Sequence, residues 1–201
     1  MIAIIDYGMG NLRSVQKAFE YLGFEAEITK DKVKVEDADR VVLPGVGAFS
    51  DAMDNLHRMG MLEIIYGSVD SGKPFLGICL GMQLLFDKSF EGGIHQGLGL
   101  IPGEVKRIPA RKGLKVPHMG WNHLECRESP ILDSLGPNPS VYFVHSYYVE
   151  PVARECIIGT TDYSMEITAA VQRDNIFGLQ FHPEKSGDTG LLILKNFGGL
   201  K

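Results

Sequence analysis

A cysteine between two glycines, at the end of an apolar segment, is the best candidate nucleophile in this sequence. Residues 74–86 read Pro-Phe-Leu-Gly-Ile-Cys-Leu-Gly-Met-Gln-Leu-Leu-Phe, with Cys79 between Gly77 and Gly81. The pattern predicts a buried strand, a sharp turn at the cysteine and then an amphipathic helix, which is the arrangement of a nucleophile elbow. Glycines allow the turn, and a helix N-terminus favours the reactive thiolate. A small, inert, buried cysteine is the alternative interpretation.

His182 is the histidine best placed to act as the base for that thiol. It directly follows the last strand pattern, in Gly-Leu-Gln-Phe-His-Pro-Glu, and Glu184 lies two residues further on. Side chains two apart in an extended segment point the same way, and Pro183 favours extended backbone in the residue before it. We therefore expect Glu184 to hold one ring nitrogen of His182 while the other faces the thiol. A plain surface turn is the alternative.

The other histidines and cysteines have no comparable setting. His145 lies in a strand-like run without an acidic residue two positions away, so we expect it to be a half-buried structural residue. No chemistry is assigned to His57, His95, His118, His123, Cys126 and Cys156. Three cysteines without a CxxC pair predict neither a disulfide framework nor a zinc site. No metal or cofactor is expected. The loop over residues 8–13 is similar to a dinucleotide fingerprint, but Arg13 occupies the position of its third glycine, so a nucleotide role is not predicted.

Two backbone segments are candidates for an oxyanion hole. In an elbow, the N–H of the residue after the nucleophile, here Leu80, is one donor. A turn of sequence Pro-Gly-Val-Gly-Ala-Phe follows a neighbouring strand pattern, and its residues Gly45, Val46 and Gly47 are candidates for the second donor. Its glycines let N–H groups approach a substrate, and they also let a peptide turn over. A simple connection between strand and helix is the alternative.

The first half of the chain alternates strand and helix patterns. Short strands are predicted at 2–6, 26–28, 40–43 and 74–78. Helices are predicted from Leu12 to Gly23, after an N-cap at Ser50, and over 61–71. This alternation is typical of a parallel sheet with helices on both faces. Sites in such sheets lie beyond the carboxyl ends of the strands, so the loops 7–11, 44–50 and 79–81 should meet.

The second half is predicted to be richer in strands, with proline and glycine between them. Candidate strands lie at 104–108, 116–124, 141–149, 156–161, 167–173 and 176–181, and a helix covers about 188–197. They predict antiparallel additions to the sheet. We expect one α/β domain over residues 1–201.

Composition excludes several classes of protein. A hydrophobic content of 44% over 201 residues is ordinary for a soluble globular domain. A net charge of −5, with no block of lysine and arginine, argues against nucleic acid as a partner. The N-terminus lacks the pattern of a signal peptide, and the longest apolar run is too short to span a bilayer. A cytoplasmic protein without a membrane partner is expected.

With these motifs together, the sequence resembles the class I (triad) glutamine amidotransferases. Four segments narrow the resemblance to the glutaminase subunits of imidazole glycerol phosphate synthases: 6–12 (Asp-Tyr-Gly-Met-Gly-Asn-Leu), 44–49 (Pro-Gly-Val-Gly-Ala-Phe), 119–122 (Met-Gly-Trp-Asn) and 182–186 (His-Pro-Glu-Lys-Ser). The resemblance covers essentially the whole chain. It implies a flavodoxin-like fold with a mostly parallel central sheet, helices on both faces and antiparallel strand additions.

The resemblance also implies a reaction. Cys79 would attack the side-chain amide of glutamine, and His182 would protonate the departing ammonia. A glutamyl thioester would form and be hydrolysed by a water that His182 activates, while Glu184 holds His182. The implied oxyanion hole is Gly45, Val46, Gly47 and Leu80, and the implied substrate-binding residues are Gln83, His145, Ser146 and Tyr147.

A partner is implied as well. In this family, ammonia passes to a separate (β/α)8-barrel cyclase subunit, which makes imidazole glycerol phosphate and aminoimidazole carboxamide ribotide. A barrel needs about 250 residues, so the cyclase of this heterodimer must be another chain. The residues that the resemblance places at the interface are Asn11, Trp121 and Lys185.

Three alternatives remain open at this point. The chain is compatible with the glutaminase subunit of another amidotransferase, such as anthranilate synthase. It is also compatible with a cysteine hydrolase or peptidase that has a related elbow. A catalytically silent binding or regulatory subunit would need a broken triad, whereas Cys79, His182 and Glu184 are all present.

Overall fold

The computed structural model of the protein describes residues 1–110, 115–163 and 165–200. Its strands are β1 (Ile2–Ile5), β2 (Ala26–Thr29), β3 (Arg40–Gly45), β4 (Phe75–Cys79), β5 (Phe86–Ser89), β6 (His95–Gln96), β7 (Ile101–Arg107), β8 (His118–His123), β9 (Glu125–Cys126), β10 (Ser140–His145), β11 (Tyr147–Pro151), β12 (Ile157–Asp162), β13 (Glu166–Arg173) and β14 (Ile176–Leu179). Its α-helices are α1 (Leu12–Tyr21), α2 (Lys32–Asp37), α3 (Phe49–Arg58), α4 (Leu62–Asp70), α5 (Leu80–Leu84) and α6 (Gly187–Gly198). Short 3-10 turns cover Pro130–Leu132, Arg154–Cys156 and Pro183–Lys185.

An eight-stranded sheet in the order β2-β1-β3-β4-β14-β13-β12-β9 forms the centre of the fold. Neighbours from β2 to β14 run parallel, and those from β14 to β9 run antiparallel. With β1 between β2 and β3, the parallel part has the flavodoxin-like strand order. Two smaller sheets, β11-β7-β5-β6 and β10-β8, carry the remaining strands. The predicted α/β class and the antiparallel additions are confirmed.

Two clusters of buried side chains cover the two faces of the central sheet. Alternate residues of β1 point to opposite faces, since Ile4 belongs to one cluster and Ile5 to the other. The Ile4 cluster contains Phe19 of α1 and Phe197 of α6. The other cluster holds side chains from the helices on the opposite face: Val35 of α2, Leu56 of α3 and Ile65 of α4. Helices therefore lie on both faces, as predicted.

The helix after Cys79 differs from the prediction. It is only five residues long and entirely buried, rather than a longer amphipathic helix. The apolar run ends at Phe86, the buried first residue of β5, which pairs with β7. The predicted helix extended over this residue because apolar content alone does not separate a buried helix from the start of a strand.

The prediction of Ser50 as an N-cap is also wrong. The helix begins at Phe49, and the N-cap residue Ala48 has no side chain that can cap it. The carboxylate of Glu91 accepts a hydrogen bond from the Phe49 N–H at 2.8 Å instead. A group 42 residues away in sequence therefore caps this helix, which local patterns cannot show.

The predicted strand at 141–149 is two strands in two different sheets. Ser146 separates them, and β10 pairs with β8 whereas β11 pairs with β7. The short elements α2, β5, β6 and β9 were not predicted. Within the part of the chain that the structure describes, no helix has the length and apolar character needed to cross a membrane.

Candidate active site

Cys79 lies at a sharp, strained turn at the end of β4. Its backbone angles, φ 56° and ψ −110°, are rare for a residue with a side chain. A Cβ at Gly81 would lie 1.8 Å from the carbonyl oxygen of Leu43, and one at Gly77 would lie 2.6 Å from that of Gly81. Both glycines are therefore required, because the turn packs directly against backbone. The cysteine has the elbow geometry that the sequence predicts.

The glycine-rich turn after β3 lies beside the thiol. Gly45 is opposite Cys79 in the parallel register of β3 and β4. Val46 and Gly47 follow, and they line a cavity of about 380 Å³ together with Leu80. Gly45 itself is not part of the lining. The complete lining is Val46, Gly47, Cys79, Leu80, Gln83, Glu91, Pro117, Val144, His145, Ser146, Tyr147 and His182.

His182 and Glu184 have the predicted arrangement. Nδ1 of His182 lies 2.9 Å from Oε1 of Glu184, and both side chains are almost fully buried. Among the described residues, Nε2 of His182 has no hydrogen-bond partner at standard geometry. The segment is held by its backbone, since the His182 N–H donates to the Tyr142 carbonyl and the Ser186 hydroxyl donates to the His182 carbonyl. One ring nitrogen is thus occupied by the carboxylate, and the other is available at the cavity.

The charge of His182 is set by its two neighbours. Burial by itself lowers the pKa of His182, but interactions with the Cys79 sulfur and the Glu184 carboxylate outweigh it and raise the pKa to about 9. A positively charged imidazole beside a thiol favours the thiolate. Helix α5 has only five residues and therefore only a small dipole.

The stability that His182 provides is expected to fall at alkaline pH. Its folded pKa of about 9 exceeds the ordinary 6.5, so the contribution is complete below about pH 6.5 and is lost as the pH rises through about 9. The free energy of urea unfolding should therefore differ more between wild type and His182→Asn at about pH 6 than at about pH 9.5. A difference that does not change with pH would contradict a charged His182.

Gln83 joins the elbow to the turn at 145–147. Its Nε2 donates to the Tyr147 carbonyl at 3.0 Å and to Oε1 of Gln180 at 3.1 Å. The Nε2 of Gln180 in turn faces the Cys79 sulfur at 3.9 Å. No role for Gln180 is predicted from the sequence. The available signal was a polar residue in an apolar strand, two positions before His182 and therefore on the same side.

His145 and its neighbours are placed at the cavity. Ser146 and Tyr147 line it, and Nδ1 of His145 lies 2.8 Å from the Tyr147 carbonyl oxygen. The expectation of a half-buried His145 is wrong, because the residue is only 6% exposed. It is the last residue of β10, and its ring contacts the first residue of β11, an arrangement that the single strand predicted at 141–149 did not anticipate. Among the described residues, no group of histidine, cysteine and acidic side chains is arranged to hold a metal ion.

Glu91 is a residue of this cavity that the sequence analysis missed. Its carboxylate lines the cavity and also accepts the Phe49 N–H. It lies between β5 and β6, two short strands that were not predicted. The one available signal was an acidic residue directly before Gly92 and Gly93.

The three residues expected at a partner interface all lie around the His182–Ser186 segment. The Nδ2 of Asn11 donates to Oε1 of Glu184 at 3.2 Å. Lys185 is exposed, and the ring of Trp121, itself 58% exposed, packs near Gly187. Asn11 therefore supports the carboxylate directly, a contact that its position in the sequence does not reveal.

Comparisons with known proteins agree with this geometry. Residues 3–198 match the family model described as glutamine amidotransferase class-I. The chain is 57% identical to imidazole glycerol phosphate synthase subunit HisH of Syntrophotalea carbinolica, over 100% of both chains. It is 50% identical to the protein of the same name from Aquifex aeolicus, over 96% of this chain and 94% of that one.

Solved structures support the fold. PurLQS from Thermotoga maritima superimposes with a TM-score of 0.77 at 20% identity, covering 98% of this chain and 96% of that one. A crystal structure of a glutamine amidotransferase gives 0.77 at 18% identity, over the whole of both chains. The chain belongs to the class I glutamine amidotransferases, as a glutaminase of the imidazole glycerol phosphate synthase subunit HisH family.

Proposed function

We propose that this chain releases ammonia from glutamine through a thioester on Cys79. The thiolate attacks the side-chain carbonyl carbon of glutamine, and the His182 imidazolium gives its proton to the departing nitrogen, which leaves as ammonia. His182, now neutral, takes a proton from water as that water attacks the thioester. The carbon–sulfur bond then breaks, glutamate is released, and the Cys79 thiolate and the His182 imidazolium are regenerated. Glu184 holds the ring throughout. The observation that carries this proposal is that the Cys79 thiol, the His182 ring with its unpaired Nε2, and residues Val46 and Gly47 of the glycine-rich turn lie at one cavity.

The negative charge that develops on the substrate oxygen needs N–H donors. The Leu80 N–H and the N–H groups of Val46 and Gly47 are the proposed donors, since all three residues line the cavity. One such donor contributes about 3 kcal/mol to lowering the barrier. Gly45 is proposed to act through the turn, as the residue that fixes it beside Cys79.

The rest of the cavity suits the charged end of an amino acid. The Glu91 carboxylate is proposed to bind the α-ammonium group, because it lines the cavity and carries the opposite charge. The backbone of Ser146 and Tyr147 is proposed to bind the α-carboxylate end, with His145 and Gln83 holding that backbone in place.

The ammonia is proposed to pass to a separate (β/α)8-barrel cyclase that docks over the exposed rim of the site. Three exposed apolar side chains are available for this contact: Val46 at the cavity, and Met119 and Trp121 on β8. Aromatic side chains are common anchors of interfaces, and Asn11 and Lys185 would add polar contacts. The resulting heterodimer would act as a lyase that forms imidazole glycerol phosphate and aminoimidazole carboxamide ribotide. A cytoplasmic location and the absence of nucleic-acid and membrane partners stay predictions.

The glutaminase is proposed to be weak until the cyclase binds. Val46 is 41% exposed and lies between two glycines, and Gly47 has a φ of +102°. Such a turn can change the direction of a peptide at low cost. A partner that contacts Val46 would therefore select the orientation that places an N–H toward the substrate oxygen.

Glutamate release by the chain alone, and with a purified cyclase subunit plus its nucleotide ligand, tests this proposal. We expect at least tenfold activation, since one oxyanion donor is worth about a hundredfold in rate. Trp121→Ala should weaken cyclase binding about 30-fold, whereas Tyr21→Ala, an exposed aromatic on α1, should not. Full activity of the chain alone would contradict the proposal that cyclase binding activates the glutaminase. Absence of activity under every condition would favour a catalytically silent binding subunit.

A further inference from the structure

A chain of hydrogen bonds connects β8 to the turn that lines the cavity. Nδ1 of His145 lies 2.8 Å from the Tyr147 carbonyl oxygen, and its Nε2 lies 3.0 Å from Nδ1 of His118. Nε2 of His118 lies 3.3 Å from Nδ2 of Asn122, which also donates to the Asp162 carbonyl at 2.9 Å. The mechanism proposed above makes no use of His118 or Asn122.

The partners determine where each proton lies. A carbonyl oxygen only accepts, so Nδ1 of His145 carries a proton and its Nε2 must accept from His118 when the ring is neutral. Nδ1 of His118 is therefore also protonated, and its Nε2 accepts from the amide of Asn122. That amide has two protons, one for His118 and one for the Asp162 carbonyl. Every donor in the chain has one acceptor, so only one arrangement of protons satisfies it.

Both rings are neutral at physiological pH. Burial lowers the pKa of His118 to about 4. Burial also lowers the pKa of His145 to about 3, the charges of His118 and His182 add to that effect, and only the bond to the Tyr147 carbonyl opposes it. His118 is further held by stacking, with its ring centre 4.5 Å from that of Phe143 and 3.9 Å from that of Tyr163.

The series of hydrogen bonds reaches the proposed glutamine site at the Tyr147 carbonyl. This carbonyl accepts from His145 and from Nε2 of Gln83, so two side chains fix its direction. Tyr147 is the first residue of β11, where it pairs with Arg107 of β7, and the carbonyl of Ser146 before it accepts from the Ile108 N–H at 2.9 Å. The two side chains therefore add to a backbone ladder that begins only at this turn. Without His118, the buried Nε2 of His145 would lose its donor, and the ring could exchange its proton between nitrogens or rotate.

We propose that His118 is a positioning residue for glutamine binding, acting through His145 to hold the Ser146–Tyr147 backbone in its binding conformation. This inference rests on the proposed function, because it needs that backbone to contact the substrate. His118 does not touch the substrate itself. The expected consequence of its loss is weaker glutamine binding rather than slower chemistry.

Two substitutions separate the hydrogen bond from the stacking. His118→Phe keeps a ring between Phe143 and Tyr163 but removes the donor to His145. His118→Asn keeps an amide N–H near the position of Nδ1 but removes the ring. In the complex with the cyclase, we expect H118F to raise the KM for glutamine about tenfold, the equivalent of one lost buried hydrogen bond, with kcat within about threefold. H118N should keep its KM within about threefold of wild type and should be the less stable variant.

Nitrogen-15 NMR of the histidine rings provides a readout that does not depend on activity. Wild type should show His118 and His145 both protonated at Nδ1, and H118F should lose that single tautomer at His145. An unchanged KM in H118F, or a KM raised more in H118N, would overturn the positioning role and leave the glutaminase proposal intact. Absence of glutamine turnover in the wild-type complex would instead overturn both.

Discussion

Replacement of Cys79 by alanine is expected to abolish glutamate release, by at least about 10⁴-fold, with the cyclase bound or absent. The reason is that the described residues that line the cavity include no second nucleophile next to His182. The lining residues with hydroxyl groups, Ser146 and Tyr147, belong to the turn that is proposed to bind the substrate. The complex that contains this variant should still form product from added ammonium salts, because the cyclase reaction needs ammonia and not its source.

Cys126→Ala is the matched control for that experiment. Cys126 is exposed, lies in β9 and does not line the cavity, so its loss should leave glutamate release unchanged. Both activities are measured in one assay, as glutamate released and as cyclase product formed from glutamine or from ammonia. Glutamate release by Cys79→Ala within tenfold of wild type would mean that another group forms the covalent intermediate, or that none is formed.

The second large effect is expected from Gly81→Ala. A Cβ at this position would lie 1.8 Å from the Leu43 carbonyl oxygen, and the obstacle is backbone of a central strand. The helix can relieve the contact only by moving away from β3, which displaces Cys79. We expect a loss of more than about 4 kcal/mol in the free energy of unfolding, or failure to fold, and loss of glutaminase activity in any folded fraction.

Gly67→Ala is the control for Gly81→Ala. Gly67 lies on the exposed side of α4, and no heavy atom lies within 4 Å of a Cβ placed there. Alanine favours a helix over glycine by about 1 kcal/mol, so this variant should be slightly more stable than wild type. Urea unfolding of the two variants measures both effects. A Gly81→Ala protein of wild-type stability would show that the elbow tolerates a side chain at this position.

The parts of the site that are predictable from sequence are those that depend on neighbouring residues. The elbow around Cys79 is visible because its glycines are two residues away, and the pairing of His182 with Glu184 is visible because an extended segment places them side by side. The parallel sheet is predictable for a similar reason, since each of its strands is a short apolar run followed by a helix pattern.

The remaining parts depend on contacts between distant segments. Glu91 reaches the cavity by capping a helix that begins 42 residues before it. Asn11 reaches Glu184 across 173 residues, and His118 reaches His145 only through the pairing of β8 with β10. Such contacts cannot be inferred from the spacing of residues in the sequence. The break between β10 and β11 at Ser146 is equally hidden, because the residues on both sides of it have strand character.

The register of β3 and β4 has a consequence for how this enzyme can change. Gly45 and Cys79 are the last partners of two adjacent central strands, so ladder hydrogen bonds, and not side chains, set the spacing between the thiol and the turn that is proposed to bind the oxyanion. Val46, by contrast, is outside the ladder and exposed. Mutations that adapt Val46 or Trp121 to a different cyclase surface can therefore accumulate without altering the spacing on which the chemistry depends. Because the sheet fixes the distance between β3 and β4, the surface proposed to contact the partner can change while the geometry around Cys79 is kept.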